Sequence, residues 1–141
     1  SAKPELPYAF HATPQALAAA SDFLVIITPG GAATRKMIDA SVLQALGPKG
    51  YLINVARGSV VDEAALIDAL QRKVIAGAAL DVFENEPNVP EALRALDNVV
   101  LTPHIGSATQ ATRQAMADRA FANLQAHFAG QPLPSAVPEC C

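Results

Sequence analysis

Residues Tyr51–Leu66 read YLINVARGSVVDEAAL, and the organisation of the chain turns on them. Their pattern predicts a short buried strand over Leu52–Ala56, a tight turn through Arg57 and Gly58, and a helix starting at Asp62. The guanidinium of Arg57 then sits on the lip of a hydrophobic strand. A charge placed there is costly unless an anion answers it, and arginine is the side chain best shaped to grip a carboxylate through two parallel hydrogen bonds. That anion is either a structural Asp or Glu of the chain or a ligand.

Similar units flank this stretch. Upstream, Thr13-Pro14 supplies an N-cap oxygen and a favoured first helical residue, predicting a helix over Pro14–Ala20. The run Phe23–Ile27 is continuously apolar and ends in Thr28-Pro29-Gly30-Gly31, the pattern of a parallel strand covered on both faces. Asp39 is placed to cap a helix over Ala40–Leu46 that Gly47-Pro48 stops. Downstream, a helix is expected over Glu63–Arg72, strands over Ala76–Val82 and Asn98–Thr102, and at most two helical turns over Pro90–Leu96. Strand and helix alternating at this spacing predict βαβ units and a parallel, doubly wound α/β sheet. Tyr8–His11 reads as a very short strand, and Ser1–Pro7, with its two prolines, as a connector. A long helix is expected over Ala108–Ala129, with Met116, Ala120, Leu124 and Phe128 on one stripe beside Ala117 and Phe121. That stripe is broad enough to require a substantial packing partner.

The bulk composition excludes several function classes. With 51% hydrophobic and 16% charged residues in 141, the chain has the balance of a soluble globular domain. A net charge of −3 offers no basic surface for nucleic acid or an anionic membrane. No apolar run is long enough to span a bilayer. The N-terminus lacks a signal pattern, so a cytoplasmic location is expected. Cys140 and Cys141 are adjacent and have no CxxC spacing, so no metal site is expected.

Ligands of open parallel sheets bind beyond the carboxyl ends of the strands. The predicted strands end in Thr28-Pro29, in Arg57-Gly58, in Asp81 followed by Glu84-Asn85-Glu86-Pro87, and in Thr102-Pro103-His104-Ile105-Gly106-Ser107. One rim thus collects an arginine, carboxylates and a histidine. Such an arginine can hold a substrate carboxylate and polarise the neighbouring carbonyl, and a histidine can exchange a proton with that oxygen. A carboxylate on the other ring nitrogen fixes the tautomer. This equipment suits reduction of a 2-oxo acid if a second molecule supplies hydride. Each residue also has a plainer role open to it: His104 as a strand-end imidazole satisfied by backbone, Glu86 as a loop carboxylate before proline. His127 reads as exposed on the last helix and His11 as a loop residue.

The segments INVARGSVVDEAAL, AGAALDVFENEP and NVVLTPHIGSAT closely resemble the three signature segments of the D-isomer-specific 2-hydroxyacid dehydrogenases, and SDFLVIITPGGAATRKMID is similar to the same family. The flavour is nearest the glyoxylate/hydroxypyruvate reductase branch. The resemblance implies that Arg57 binds substrate, that His104 is the acid/base and that Glu86 pairs with it. It implies that Asp81 receives the nicotinamide carboxamide, that Thr28, Pro29, Val55 and Ala56 line the cofactor together with Arg57 and His104, and that Gly106 and Ser107 lie beside the nicotinamide, Ser107 on the substrate side. The cofactor would be NAD or NADP, the substrate a small 2-oxo acid, and the full-length protein a homodimer. Glutamate rather than a neutral amide at position 86 sets the chain apart from the formate-oxidising branch.

One expected element is missing. No GxGxxG occurs, and Pro29-Gly30-Gly31 lacks the third glycine and the following helix. The resemblance therefore covers the second half of a Rossmann-type nucleotide domain (1–107), without its first strands, and a C-terminal helix and tail (108–141) that would pack toward a substrate domain. Alone, such a chain is expected to be inactive. A dinucleotide-sensing, co-repressor-like module on the same fold is the alternative function.

Overall fold

Burial alternates along four short strands, and that alternation explains the architecture. The computed structural model describes residues 5 and 7–137. The expected connector therefore falls largely, and the Cys140-Cys141 tail wholly, outside the described residues. Two compact units divide between His104 and Ile105, three residues ahead of the expected boundary at Ser107.

In the first unit, strands β1 (Phe23–Ile26), β2 (Tyr51–Asn54), β3 (Gly77–Leu80) and β4 (Val99–Leu101) form one parallel sheet in the order β1-β2-β3-β4. Helices α1 (Pro14–Ala19), α2 (Ala40–Leu46), α3 (Glu63–Gln71) and α4 (Glu91–Arg94) alternate with the strands, with short 3-10 turns at Ala32–Thr34 and Gly58–Val60. The register aligns Leu24 with Leu52 and Ala78, and Ile26 with Asn54 and Leu80. These rows share one core with Val42, Leu43 and Leu46 of α2, Leu66 and Leu70 of α3 and Leu93 of α4, so the crossover helices lie against one face. The caps follow the sequence: Thr13 accepts from Ala16 N–H, Asp39 from Ser41 and Val42 N–H, and Asp62 from Ala65 N–H.

Two expectations fail. β1 is not covered on both faces: Leu24 and Ile26 are buried, whereas Phe23, Val25 and Ile27 are 65%, 52% and 78% exposed. No helix of this unit packs on the second face, where Val25, Ile53, Ala79 and Val100 form a row and the Phe23 and Tyr51 rings stack at 5.4 Å. An unbroken apolar run shows that both faces are hydrophobic, not that both are occupied. Tyr8–His11 is no strand. It has no ladder partner, and Tyr8 and Phe10 are exposed.

The second unit is built on α5 (Gln110–Phe128), capped by Thr109, whose hydroxyl accepts from Thr112 N–H. Gly130, at φ 65°, closes it in a Schellman motif: Gln131 N–H donates to Ala126 C=O and Gly130 N–H to His127 C=O. The following chain folds back through a paired contact between Asn123 and Ser135. Met116, Phe121, Leu124 and Phe128 of the expected stripe are all exposed.

Candidate active site

Because the strands are parallel, their carboxyl ends open on one edge. The ladder continues past the strands there: Val55 N–H donates to Ile26 C=O, Asp81 N–H to Asn54 C=O and Thr102 N–H to Leu80 C=O. The rim residues are therefore tied to the sheet rather than carried on free loops.

β2 delivers Arg57 through a bent turn. Its Nη1 donates to Ala56 C=O at 2.6 Å, which pins the exposed guanidinium against its own backbone. It makes no ion pair among the described residues, although its charge reaches the Glu86 carboxylate. Gly30 crowds the same side chain, since a Cβ there would meet Arg57 Cγ at 3.0 Å.

The segments that follow β3 and β4 bring Glu86 and His104 together. His104 Nδ1 lies 2.9 Å from Glu86 Oε2, and Glu86 Oε1 accepts Phe83 N–H at 3.0 Å. The carboxylate is thereby held on both oxygens, and Nε2 is the imidazole nitrogen left for proton exchange. His104 adopts a left-handed backbone, φ 53°, a conformation costly for most side chains and often retained where function demands it. Phe83, Pro87, Val89 and Pro103 form a recess of about 130 Å³ beside the pair.

The His104 hydrogen bond, then the Phe83 N–H, hold the Glu86 carboxyl below its ordinary value; partial burial opposes them, and the His104 and Arg57 charges add to the lowering. A carboxylate depressed in the folded state contributes stability that is complete above its unfolded value and lost as pH falls through the folded one. Wild type should therefore exceed Glu86→Gln in stability most clearly above about pH 4.5, and the gap should close at lower pH. Urea unfolding of both proteins across this range checks the sign; a gap that widens in acid would contradict it.

Asp81 is buried, and its Oδ1 accepts from the Thr102 hydroxyl at 2.6 Å. On the β1–β2 side, Ile27, Thr28, Pro29, Gly30, Val55, Ala56, Arg57 and Ser59 line an open cleft of about 640 Å³. Beside it the Thr28 hydroxyl is buried without a hydrogen-bond partner among the described residues. The first unit thus assembles Thr28, Pro29, Val55, Ala56, Arg57, Asp81, Glu86 and His104 on one rim. Gly106 and Ser107 belong to the second unit. Among the described residues no group of three His, Cys, Asp or Glu side chains could hold a metal ion, and no helix is long and apolar enough to cross a membrane.

The family model for the D-isomer specific 2-hydroxyacid dehydrogenase NAD binding domain matches residues 3–106. The chain belongs to this family. Glyoxylate/hydroxypyruvate reductase A of Arabidopsis thaliana is 52% identical over 135 residues, 96% of this chain and 43% of that protein. Hydroxyphenylpyruvate reductase of Plectranthus scutellarioides is 50% identical over 137 residues, 97% of this chain and 44% of that protein. The NADPH-dependent glyoxylate/hydroxypyruvate reductase of Sinorhizobium meliloti, solved with NADP and malonate, superposes with a TM-score of 0.96 at 53% identity, over 99% of this chain and 44% of that one. The chain thus spans under half the length of these 2-hydroxyacid dehydrogenase relatives, and its sheet is the Rossmann-type α/β sheet of the family's NAD-binding domain.

Asn54 was not singled out in the sequence, and Gly58 and Thr102 were named there only as turn and strand-end residues, without these contacts. Asn54 is 1% exposed; its signal was a lone amide inside the apolar run LINVA. Gly58 allows the Arg57 turn to touch the Phe83–Glu84 backbone, and Thr102 holds Asp81. Neither contact has a sequence signature, because each joins segments from different strands.

Proposed function

We propose that the intact protein is an NAD(P)H-dependent reductase that converts a small 2-oxo acid of the glyoxylate or hydroxypyruvate type to the D-2-hydroxy acid. The observation that carries this is the Glu86–His104 pair at 2.9 Å, on the rim that also presents Arg57, whose guanidinium makes no ion pair among the described residues. The relatives named for glyoxylate and hydroxypyruvate reduction support the substrate class.

The open cleft over Thr28, Pro29, Val55 and Ala56 is where we place the nicotinamide end of the dinucleotide. Asp81 is the residue we assign to the carboxamide of the nicotinamide. A bound NADH or NADPH supplies the hydride that reaches the carbonyl carbon. Arg57 grips the substrate carboxylate and polarises the carbonyl oxygen with its remaining N–H groups. His104 delivers the proton to that oxygen from Nε2, while Glu86 holds the ring through Nδ1 and balances its charge. One hydride and one proton are added, so the 2-oxo acid becomes the hydroxy acid and the nicotinamide is oxidised.

The test is to mix the full-length protein with NADPH or NADH and glyoxylate or hydroxypyruvate and follow the loss of reduced-nicotinamide absorbance. Cofactor binding without turnover of any 2-oxo acid would favour the sensing module instead. Arg57→Lys should raise KM for the 2-oxo acid about tenfold or more with a smaller change in kcat, because an ammonium keeps the charge but loses the fork. An unchanged KM would remove Arg57 from the substrate site.

A further inference from the structure

We propose that Asn54 is a positioning residue for Arg57, the amide that sets the angle at which the substrate-gripping guanidinium leaves the sheet. The proposal rests on the assignment of Arg57 to the 2-oxo acid. The helix-covered row that holds Asn54 is otherwise apolar, with Ile26 on one side and Leu80 on the other. Packing alone would favour valine or leucine there.

The amide instead uses both ends on the three residues that follow it. Oδ1 accepts Ala56 N–H at 3.0 Å, and Nδ2 donates to Arg57 C=O at 3.0 Å. Such side-chain brackets impose a turn on the chain that carries them. The same carbonyl of Arg57 accepts Val60 N–H at 3.2 Å, which starts the Gly58–Val60 turn. The guanidinium is tied to Ala56 C=O at 2.6 Å, so its anchor is a residue that Asn54 itself holds. One buried side chain therefore fixes both the backbone of Arg57 and the point on which its charged end rests. The Asn54 carbonyl meanwhile accepts Asp81 N–H at 3.0 Å, which references this bracket to the end of β3.

The experiment is a double-mutant cycle in the full-length protein, with Asn54→Ala and Asn54→Asp each made with and without Arg57→Ala. Asn54→Asp keeps size and the Ala56 contact but sets a buried carboxylate oxygen against Arg57 C=O in place of the donor. The readouts are KM and kcat for glyoxylate, the inhibition constant of oxalate (a planar two-carbon analogue that cannot be reduced) and the dissociation constant of the reduced cofactor. Asn54→Ala should raise KM and the oxalate constant roughly ten- to a hundredfold, and Asn54→Asp should raise them at least as much, because its second oxygen repels the carbonyl that the amide holds. The cofactor constant should stay within about twofold, and in the Arg57→Ala background the Asn54 change should add no further loss, since the group it positions is gone. Equal losses in both backgrounds, or a parallel loss of cofactor binding, would overturn the proposal. Failure of both Asn54 variants to fold would also overturn it, because Asn54 would then determine the sheet rather than the turn. Wild-type protein that neither reduces glyoxylate nor binds oxalate would instead take down the 2-oxo acid assignment itself, and this proposal with it.

Discussion

His104→Gln in the full-length protein is expected to lower turnover of the 2-oxo acid by about a thousandfold, within the range for loss of a general acid, while leaving the dissociation constant of the reduced cofactor nearly unchanged. The expectation comes from what the side chain does in the structure. Its Nδ1 is committed to Glu86, and Glu86 is in turn fixed by Phe83 N–H, so only Nε2 is left to exchange a proton with substrate. Glutamine can still face Glu86 with an amide N–H, but it has no group that gives up a proton near neutral pH. Hydride transfer would then have to leave an alkoxide unprotonated in the site. Glutamine must also accept the left-handed backbone at this position, so thermal melting should accompany the kinetics to separate a lost proton from a lost fold. Turnover within about tenfold of wild type, in a folded protein, would remove His104 from the acid/base role.

Gly58→Ala is expected to be the most damaging single change to the architecture of the rim, costing about 3 kcal/mol or more in urea unfolding. The cause is space. Gly58 is not among the glycines with positive φ, so another residue could adopt its backbone. A Cβ at Gly58, however, would overlap the carbonyl carbon and oxygen of Phe83 and the amide nitrogen of Glu84. These are backbone atoms, and no side-chain rotation relieves the overlap. The turn that carries Arg57 would have to separate from the loop that carries Glu86, so activity should fall even in whatever fraction of the variant remains folded. A variant as stable as wild type would show that the two segments slide apart cheaply. They would then not act as one support.

Much of this was legible in the chain because the signals were local. Asp39 and Asp62 cap α2 and α3 where capping chemistry places them. The order of strand ends was enough to put Arg57, Asp81 and His104 on one edge once the strands were parallel. What could not be read was cross-segment geometry. The strands end earlier than their apolar runs, since β2 stops at Asn54, where the amide turns the chain out of the sheet. The tight approach of Gly58 to Phe83 involves residues 25 positions apart, and the emptiness of the second sheet face reflects what surrounds Val25 and Val100 rather than their identity. Hydrophobic residues on that face announce the need for cover without saying what provides it.

The sequential strand order has a consequence for how the sheet is made. Phe23 pairs with Tyr51, Tyr51 with Gly77 and Ala78 with Val99, so each strand bonds to the one synthesised about one crossover earlier. A chain emerging from the ribosome can extend this sheet strand by strand, each new strand finding its partner already present. The rim would then be completed in the order Thr28, Arg57, Asp81, Glu86, His104, with the imidazole added last to a platform already formed.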